Sequence, residues 1–301
     1  MFFLSKATII AACLLTDDPK AYAARPFVIS GTCKRKDVES QKKLLQITSS
    51  ALCESQKGFS RCLYCIGSDG DARRRRALAL LTLIQSVPQS SPIFKILSSL
   101  RLFNMLCGDD DLTSDPDWKH ILKRFRNTLL CLKGTLIDGV VITTAVLKMH
   151  LMKNGMTESA VDSILSPNDK QDVTLMIQLL NSLAQLPDAS DEDDPSIHAS
   201  CRIFKLLGQL YQNLLEAYLD PTLSLHKQLT CLSTAAHIAL ALYFRDKGNF
   251  IPIQLYFDVM AMIKNVYFCV AKTQKDDPDG HFWIIFWEPI VSRRCSVKFA
   301  Q

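Results

Sequence analysis

The sequence predicts a mostly α-helical chain, with an α/β region holding a small sheet of about three strands at its N-terminus and a large all-helical region after it. Three observations predict this. Over the first seventy residues, short apolar runs bounded by breakers alternate with one amphipathic segment. From Ala72 onward, apolar residues recur at three- and four-residue spacing. Gly and Pro number only 11 and 12 in 301 residues while hydrophobic residues make up 48%, so long helices meet few breakers and a sizeable core is available.

The elements follow in order. Residues 7–15, rich in Ile and Leu, read as a strand, and Asp17-Asp18-Pro19 as the turn that ends it. Arg25-Pro26 opens a second strand over 27–33. Leu44, Leu45, Ile47, Ala51 and Leu52 give 38–55 the stripe of an amphipathic helix. Residues 61–67 form a third strand that stops at Ser68-Asp69-Gly70. Helices are predicted over 72–86, 92–106 (Gly108 beyond its end) and 115–133 (stopped by Gly134). Further helices fall over 143–154, 157–165, 167–186, 197–218, 222–244 and 253–273. Residues 188–195 read as a solvated acidic loop, because a calcium loop needs a central Gly and a closing Glu. The apolar run Phe282–Trp287 opens a tail that packs as a strand or stays poorly ordered. The domain reading is 1–135 for the α/β region, 136–280 for the helical region and 281–301 for the tail.

Composition narrows the classes. The net charge is a mild +5, so the clustering of basic residues matters more than their total. The eleven Cys are scattered. Cys62 and Cys65 are the one Cys-x-x-Cys pair, and a strand would turn their side chains to opposite faces. Buried thiols in a reducing compartment are the reading that follows. Residues 2–15 with Ala21-Tyr22-Ala23 resemble a signal peptide and its cleavage site. Lys6 within the apolar stretch and the charged Asp17-Asp18-Pro19-Lys20 approach favour a strand, and hence an intracellular protein of nucleus or cytoplasm over a secreted one. No run reaches the roughly 18 apolar residues that span a bilayer, so no membrane partner is expected. The phosphate-binding P-loop, the dinucleotide Gly-x-Gly-x-x-Gly and the Gly-x-Ser-x-Gly elbow are missing. The His residues are spread over separate segments.

Two acidic turns, each followed by a basic helix, are the candidate functional features. Asp69 ends a predicted strand, where a carboxylate can hold Mg²⁺ for phosphodiester chemistry or serve as an ordinary turn residue. Asp71 either assists the metal or caps the next helix. Arg73, Arg74, Arg75 and Arg76 open that helix and point around more than one face, some toward phosphate and some toward water. In the second unit, Asp117 precedes Lys119, His120, Lys123, Arg124, Arg126 and Asn127, with Ile121, Leu122, Phe125, Leu129 and Leu130 behind them. That face suits a phosphate backbone or a nucleotide, or is an ordinary charged face. Asp117 and His120 stand at helical spacing for a hydrogen-bonded pair.

The stretches GTCKRK, SDGDARRRRALALLTL, SSPIFKILSSLRLFNMLCGDDDLTSDPDWKHILKRFRNTLL and GVVITTAVLKMHL resemble a group of uncharacterised fungal proteins. These are similar to remnants of cut-and-paste DNA transposases of the P-element and THAP type, in which a ribonuclease-H-like domain carries a large helical insertion. The resemblance covers roughly residues 8–285. It implies that Asp69 is a vestigial catalytic metal ligand, that Asp117 opens the family's Asp-x-x-His-x-x-Lys-x-x-Arg-Asn pattern, and that residues from about 138 to 273 are the insertion. It also implies an upstream strand with a first acid and a downstream Leu-Glu-x-x-Phe-Gly segment with a last one. This chain starts after the former, and runs from Trp283-Ile284-Ile285 into Phe286-Trp287-Glu288-Pro289 in place of the latter. The expectation is a transposase-derived protein truncated at both ends, inactive as a nuclease. Mg²⁺ would serve the ancestral enzyme, with no cofactor here and DNA as the retained partner. The alternative is a helical interaction scaffold with no nucleic-acid role.

Overall fold

The computed structural model describes residues 6–15, 25–32, 36–55, 63–68, 71–166, 172–280, 282, 284 and 294–300. Asp69, Cys62, the cleavage-site residues 21–23 and most of the 282–287 run lie outside the described residues. The chain divides into two compact units, Met1–Asp117 with Ala261–Gln301, and Trp118–Met260. The expected boundaries at 135 and 280 are therefore not where the units part. The C-terminal portion of the last helix and the tail belong with the N-terminal unit.

The first unit contains β1 (Lys6–Leu15), β2 (Arg25–Thr32), α1 (Val38–Ser55), β3 (Leu63–Ser68), α2 (Ala72–Thr82), β4 (Gln85–Ser86), α3 (Phe94–Leu97), β5 (Leu106–Cys107) and β6 (Thr113–Pro116). The second contains α4 (Trp118–Leu129), β7 (Thr135–Ile137), β8 (Val140–Ile142), α5 (Thr144–Lys153), α6 (Glu158–Leu165), α7 (Val173–Ala184), α8 (Pro195–Leu219) and α9 (Leu225–Asp246). Helix α10 (Ile253–Asp276) is shared between them, and β9 (Arg294–Ala300) closes the chain. The protein is mostly α with some α/β character, as its sequence predicts, although the short β7–β8 pair enters the region expected to be all-helical.

The sheet of the first unit has five strands in the order β2-β1-β9-β3-β6. Strand β1 runs antiparallel to β2 and β9, while β3 runs parallel to β9 and β6. The predicted three strands are present, and the tail supplies the central one. A register shift between Leu63 and Cys65 makes Tyr64 a bulge residue. The shift breaks the simple alternation of faces. Leu63 and Ile66 pack with Ile10, Leu45, Ala77 and Leu78 under α1 and α2. Tyr64 and Cys65, adjacent in sequence, both pack against Cys269 of α10. Helix α2 buries Arg74, Ala77, Leu78 and Thr82, a stripe at helical spacing.

The helix predicted over 92–106 is only the four residues of α3. Its apolar spacing is helical, but other demands on the backbone win. Leu102 takes φ 59°, a left-handed conformation that ends any helix. Asn104 Oδ1 accepts the Leu106 amide at 2.9 Å, and residues 105–107 pair with 84–87 as β4 and β5. The same ladder stops α2 at Thr82, short of the predicted 86. Thr113–Pro116 forms β6, so α4 starts at Trp118 rather than at 115.

In the second unit, β7 and β8 form a hairpin about Asp138 (φ 52°) and Gly139 (φ 75°), the positive-φ pair that a tight turn of the primed type needs. Thr143, Thr157, Asp172 and Ser224 cap α5, α6, α7 and α9 through their side-chain oxygens. Asp220 Oδ1 instead accepts from the Thr222 amide and hydroxyl, a turn that delays α9 to Leu225. Helices α7 and α8 lie against each other, and Leu179, Leu180, Leu183, Phe204, Leu207 and Tyr211 on them are buried. A Cβ added at Gly208 would stand 2.9 Å from Ala184 Cα and 3.0 Å from Leu183 O, so glycine permits this approach of α8 to α7. Intrinsic propensity favours Ala inside a helix by about 1 kcal/mol. Gly208→Ala is nevertheless expected to destabilise the protein by about 1–3 kcal/mol, because overpacking against backbone cannot relax. Urea denaturation of the variant checks the sign.

Candidate functional site

Because β3 and β6 are parallel, their C-terminal ends lie at one edge of the sheet, where α/β sheets place their ligands. Gly67 stands level with Asp115, and Ser68 with Pro116. The Asp117 amide donates to Ser68 O at 3.2 Å, which continues the pairing one residue further. The strand ends thus bring Asp115 and Asp117 beside Gly67 and Ser68. Asp115 is buried and Asp117 half-buried. Asp71 is the N-cap of α2, its Oδ1 accepting from the Arg73 and Arg74 amides at 3.1 Å each. Of its two expected roles, the cap is therefore filled. Among the described residues, no three His, Cys, Asp or Glu side chains converge as metal ligands.

The four arginines separate as the turn of a helix requires. Arg74 is buried, Arg75 half-buried, and Arg73 and Arg76 exposed. Arg73 Nη1 donates to Lys36 O at 3.3 Å, which ties the start of α2 to the start of α1. Asp37 accepts the Ser40 amide at 2.7 Å, and that bond, aided by the Arg73 charge, holds its carboxyl below the usual range. Lys36 and Lys43 are exposed on the same unit.

The basic residues of α4 divide in another way. Lys119 and Lys123 are half-buried, His120 and Asn127 exposed. The Lys119 ammonium lies 5.5 Å from the Trp118 ring centroid. Arg124 forms an ion pair with buried Asp258. Arg126 is fully buried and donates Nη2 to Ile164 O at 3.1 Å and Ser166 O at 2.8 Å. It binds the C-terminal carbonyls of α6. Of the predicted phosphate-binding residues on this helix, Arg124 and Arg126 thus hold the fold of the second unit. His150 is likewise a core residue, its Nε2 2.8 Å from Ser200 Oγ and its pKa lowered by burial.

A polar cluster between the sheet and α10 was not legible as a site in the sequence. Lys272 is buried, donates to Tyr64 O at 2.8 Å and lies 5.4 Å from the Tyr64 ring centroid. The Tyr64 hydroxyl donates to Asp276 Oδ2 at 2.6 Å. Thr113 Oγ1 donates to Asn265 Oδ1 at 2.6 Å, while the fully buried Asn265 Nδ2 has no partner among the described residues. Lys264 donates to Leu106 O, and burial lowers its pKa to about 8. Burial raises the Cys107 thiol to about 11, with the Asp111 charge adding to it. The signal available was Lys264 and Asn265 among the apolar residues from Val259 to Ala271, and Lys272 directly after them. By length and composition α10 could cross a membrane, yet 67% of its apolar window is buried within the protein.

Two outcomes test these assignments. Asp71→Ala is expected to cost about 0.5–2 kcal/mol as a lost cap, and Asp71→Ser, which keeps a capping oxygen but is a poorer metal ligand, to restore most of it in thermal unfolding. Lys264 carries a folded pKa of about 8 against its ordinary 10.5, so between those values the unfolded chain binds more protons. Its contribution to stability therefore rises as pH increases from about 8 to 10.5. Relative to Lys264→Met, the wild-type protein should gain stability across that window in urea titrations. A flat difference would remove the buried-lysine assignment.

Comparison of the chain with protein-family models, curated proteins and solved structures returned no match.

Proposed function

We propose that the protein is a transposase-derived nucleic-acid-binding protein of ribonuclease-H-like ancestry that holds a phosphate backbone through α2 and does not cleave it. The observation that carries this reading is the placement of exposed Arg73 and Arg76 and half-buried Arg75 near the start of α2, shortly after the end of β3. A helix N-terminus is the positive end of the macrodipole, and cations there are unfavourable. Four consecutive arginines at that end, beside the Asp71 cap, add mutual repulsion. A bound polyanion would relieve it, since helix N-terminal amides and arginine forks both favour phosphate.

Loss of cleavage has its own support. Two-metal hydrolysis needs separated carboxylates on neighbouring strand ends. Strand β9, beside β3, sets Ser296, Val297, Lys298 and Phe299 level with Cys65 to Ser68 and brings no acid there. Asp71 is engaged as a cap, and Asp115 is buried. In the second unit, exposed Phe244 and Phe257 favour the alternative of a protein-interaction scaffold.

Fluorescence anisotropy with duplex and single-stranded DNA over a range of salt concentrations distinguishes the two. The expected outcome is binding that weakens linearly with log salt. The combined Arg73, Arg75 and Arg76 to Ala variant should show a slope shallower by about two to three units, since each duplex phosphate left without its cation removes about 0.9. Salt-independent or undetectable binding would leave the scaffold reading. Nicking of supercoiled plasmid with Mg²⁺ or Mn²⁺ that disappears in Asp69→Ala would overturn the loss of cleavage.

A further inference from the structure

We infer that Cys65 and Cys269 form a redox couple, and that two-electron oxidation joins β3 to α10 by a disulfide. The inference is independent of nucleic-acid binding. It rests on the bulge at Tyr64, which turns Cys65 onto the α10 face together with its neighbour. There Cys65 and Cys269 share one buried cluster, with relative exposures of 1% and 0%. The two side chains are hydrogen-bonded to each other. The Cys269 thiol is also within 3.6 Å of Asn265 Oδ1, which keeps the Thr113 hydroxyl as donor at 2.6 Å if Cys269 loses its proton. Removing both thiol protons therefore leaves that acceptor satisfied.

The chemistry needs an oxidant of the disulfide class, such as oxidised glutathione. One protein thiolate attacks a sulfur of the oxidant, breaking its S–S bond and releasing one glutathione thiolate. The second cysteine then attacks the protein sulfur of the mixed disulfide and releases the second glutathione. The two protein thiols are oxidised, the oxidant becomes two thiols, and the two protons pass to the leaving thiolates. In the closed state, the hydrogen bond that the Cys65 thiol donates to Cys269, and then burial, hold the Cys65 thiol well above its ordinary pKa. Exchange must therefore proceed through transient opening, more slowly than at the exposed Cys53 and Cys131. Lys272 stands one turn from Cys269, and its charge favours the thiolate once the pair opens. The bond would close a loop of about 200 residues and constrain the unfolded chain strongly.

The test equilibrates the full chain in glutathione buffers of rising oxidised share, followed by acid quench, denaturing alkylation, digestion and mass spectrometry. The expected product is a cross-linked peptide pair containing Cys65 and Cys269, formed after Cys53 and Cys131 react. The urea midpoint should rise with it and return on reduction, and the Cys269→Ala chain should show neither change. The wild-type peptide map stands even where that variant fails to fold. Cys65 and Cys269 both alkylated in the most oxidising buffer, or Cys65 bridged to Cys62 or Cys107, would overturn the proposal.

Discussion

The bond from the Lys272 ammonium to the Tyr64 carbonyl is the constraint on which the first unit depends. The same carbonyl also accepts from the Thr113 hydroxyl of β6 at 3.4 Å, beside the bulge in the β3–β9 pairing. A buried ammonium is costly unless its donors are engaged. Here it has the carbonyl, with the Tyr64 and Phe268 rings at 5.4 and 5.9 Å. Burial still depresses its pKa, so compensation is incomplete. The interaction specifies where α10 docks on β3 more than it stabilises the docking. A shift of α10 by one residue would take the buried ammonium away from this acceptor.

The two faces of the sheet are consequently unlike. Under α1 and α2 the contacts are apolar, built from Ile10, Leu45, Leu63, Ile66, Ala77 and Leu78. Against α10 they combine apolar side chains with Tyr64, Thr113, Asp115, Asn265 and Lys272. The apolar face tolerates small rearrangement, since hydrophobic contact is not directional. The polar face tolerates less, because its hydrogen bonds are directional. The strand ends that carry Asp115 and Asp117 are held from the second face, and the arginine-bearing helix sits on the first.

The legible part of the fold was the part with a strong local period. Strands β1, β2 and β3 and helices α1, α5, α6, α8 and α10 lie close to their predicted limits, because their apolar residues alternate or recur at helical spacing over long runs. The misassigned stretch, 92–106, also had helical spacing. It failed because Leu102, Asn104 and a two-residue ladder took its backbone, which periodicity does not register. The β7–β8 hairpin carried a readable signal in Asp138-Gly139 between β-branched residues. Strand β9 could not be read as central from its sequence, since pairing order is a long-range property. At the candidate site, the choice of outward arginines follows from the stripe Arg74, Ala77, Leu78 and Thr82. The buried ends of Arg124 and Arg126 do not, because their partners come from α10 and α6.

Asn265 shows how specificity and cost coincide on α10. Its Oδ1 accepts from Thr113 and from Cys269, while its Nδ2 is buried without an acceptor among the described residues. A leucine would remove the orphaned donor, at the price of the acceptor that Thr113 needs. Lys264, one residue before it, makes the same trade through Leu106 O. Polar groups of α10 that bond to Tyr64, Leu106 and Thr113 therefore favour a single rotation of that helix against the sheet. An all-apolar helix of this length would bury comparable area in several rotations. That selection keeps Cys269 beside Cys65, and the described residues of their cluster include no third thiol.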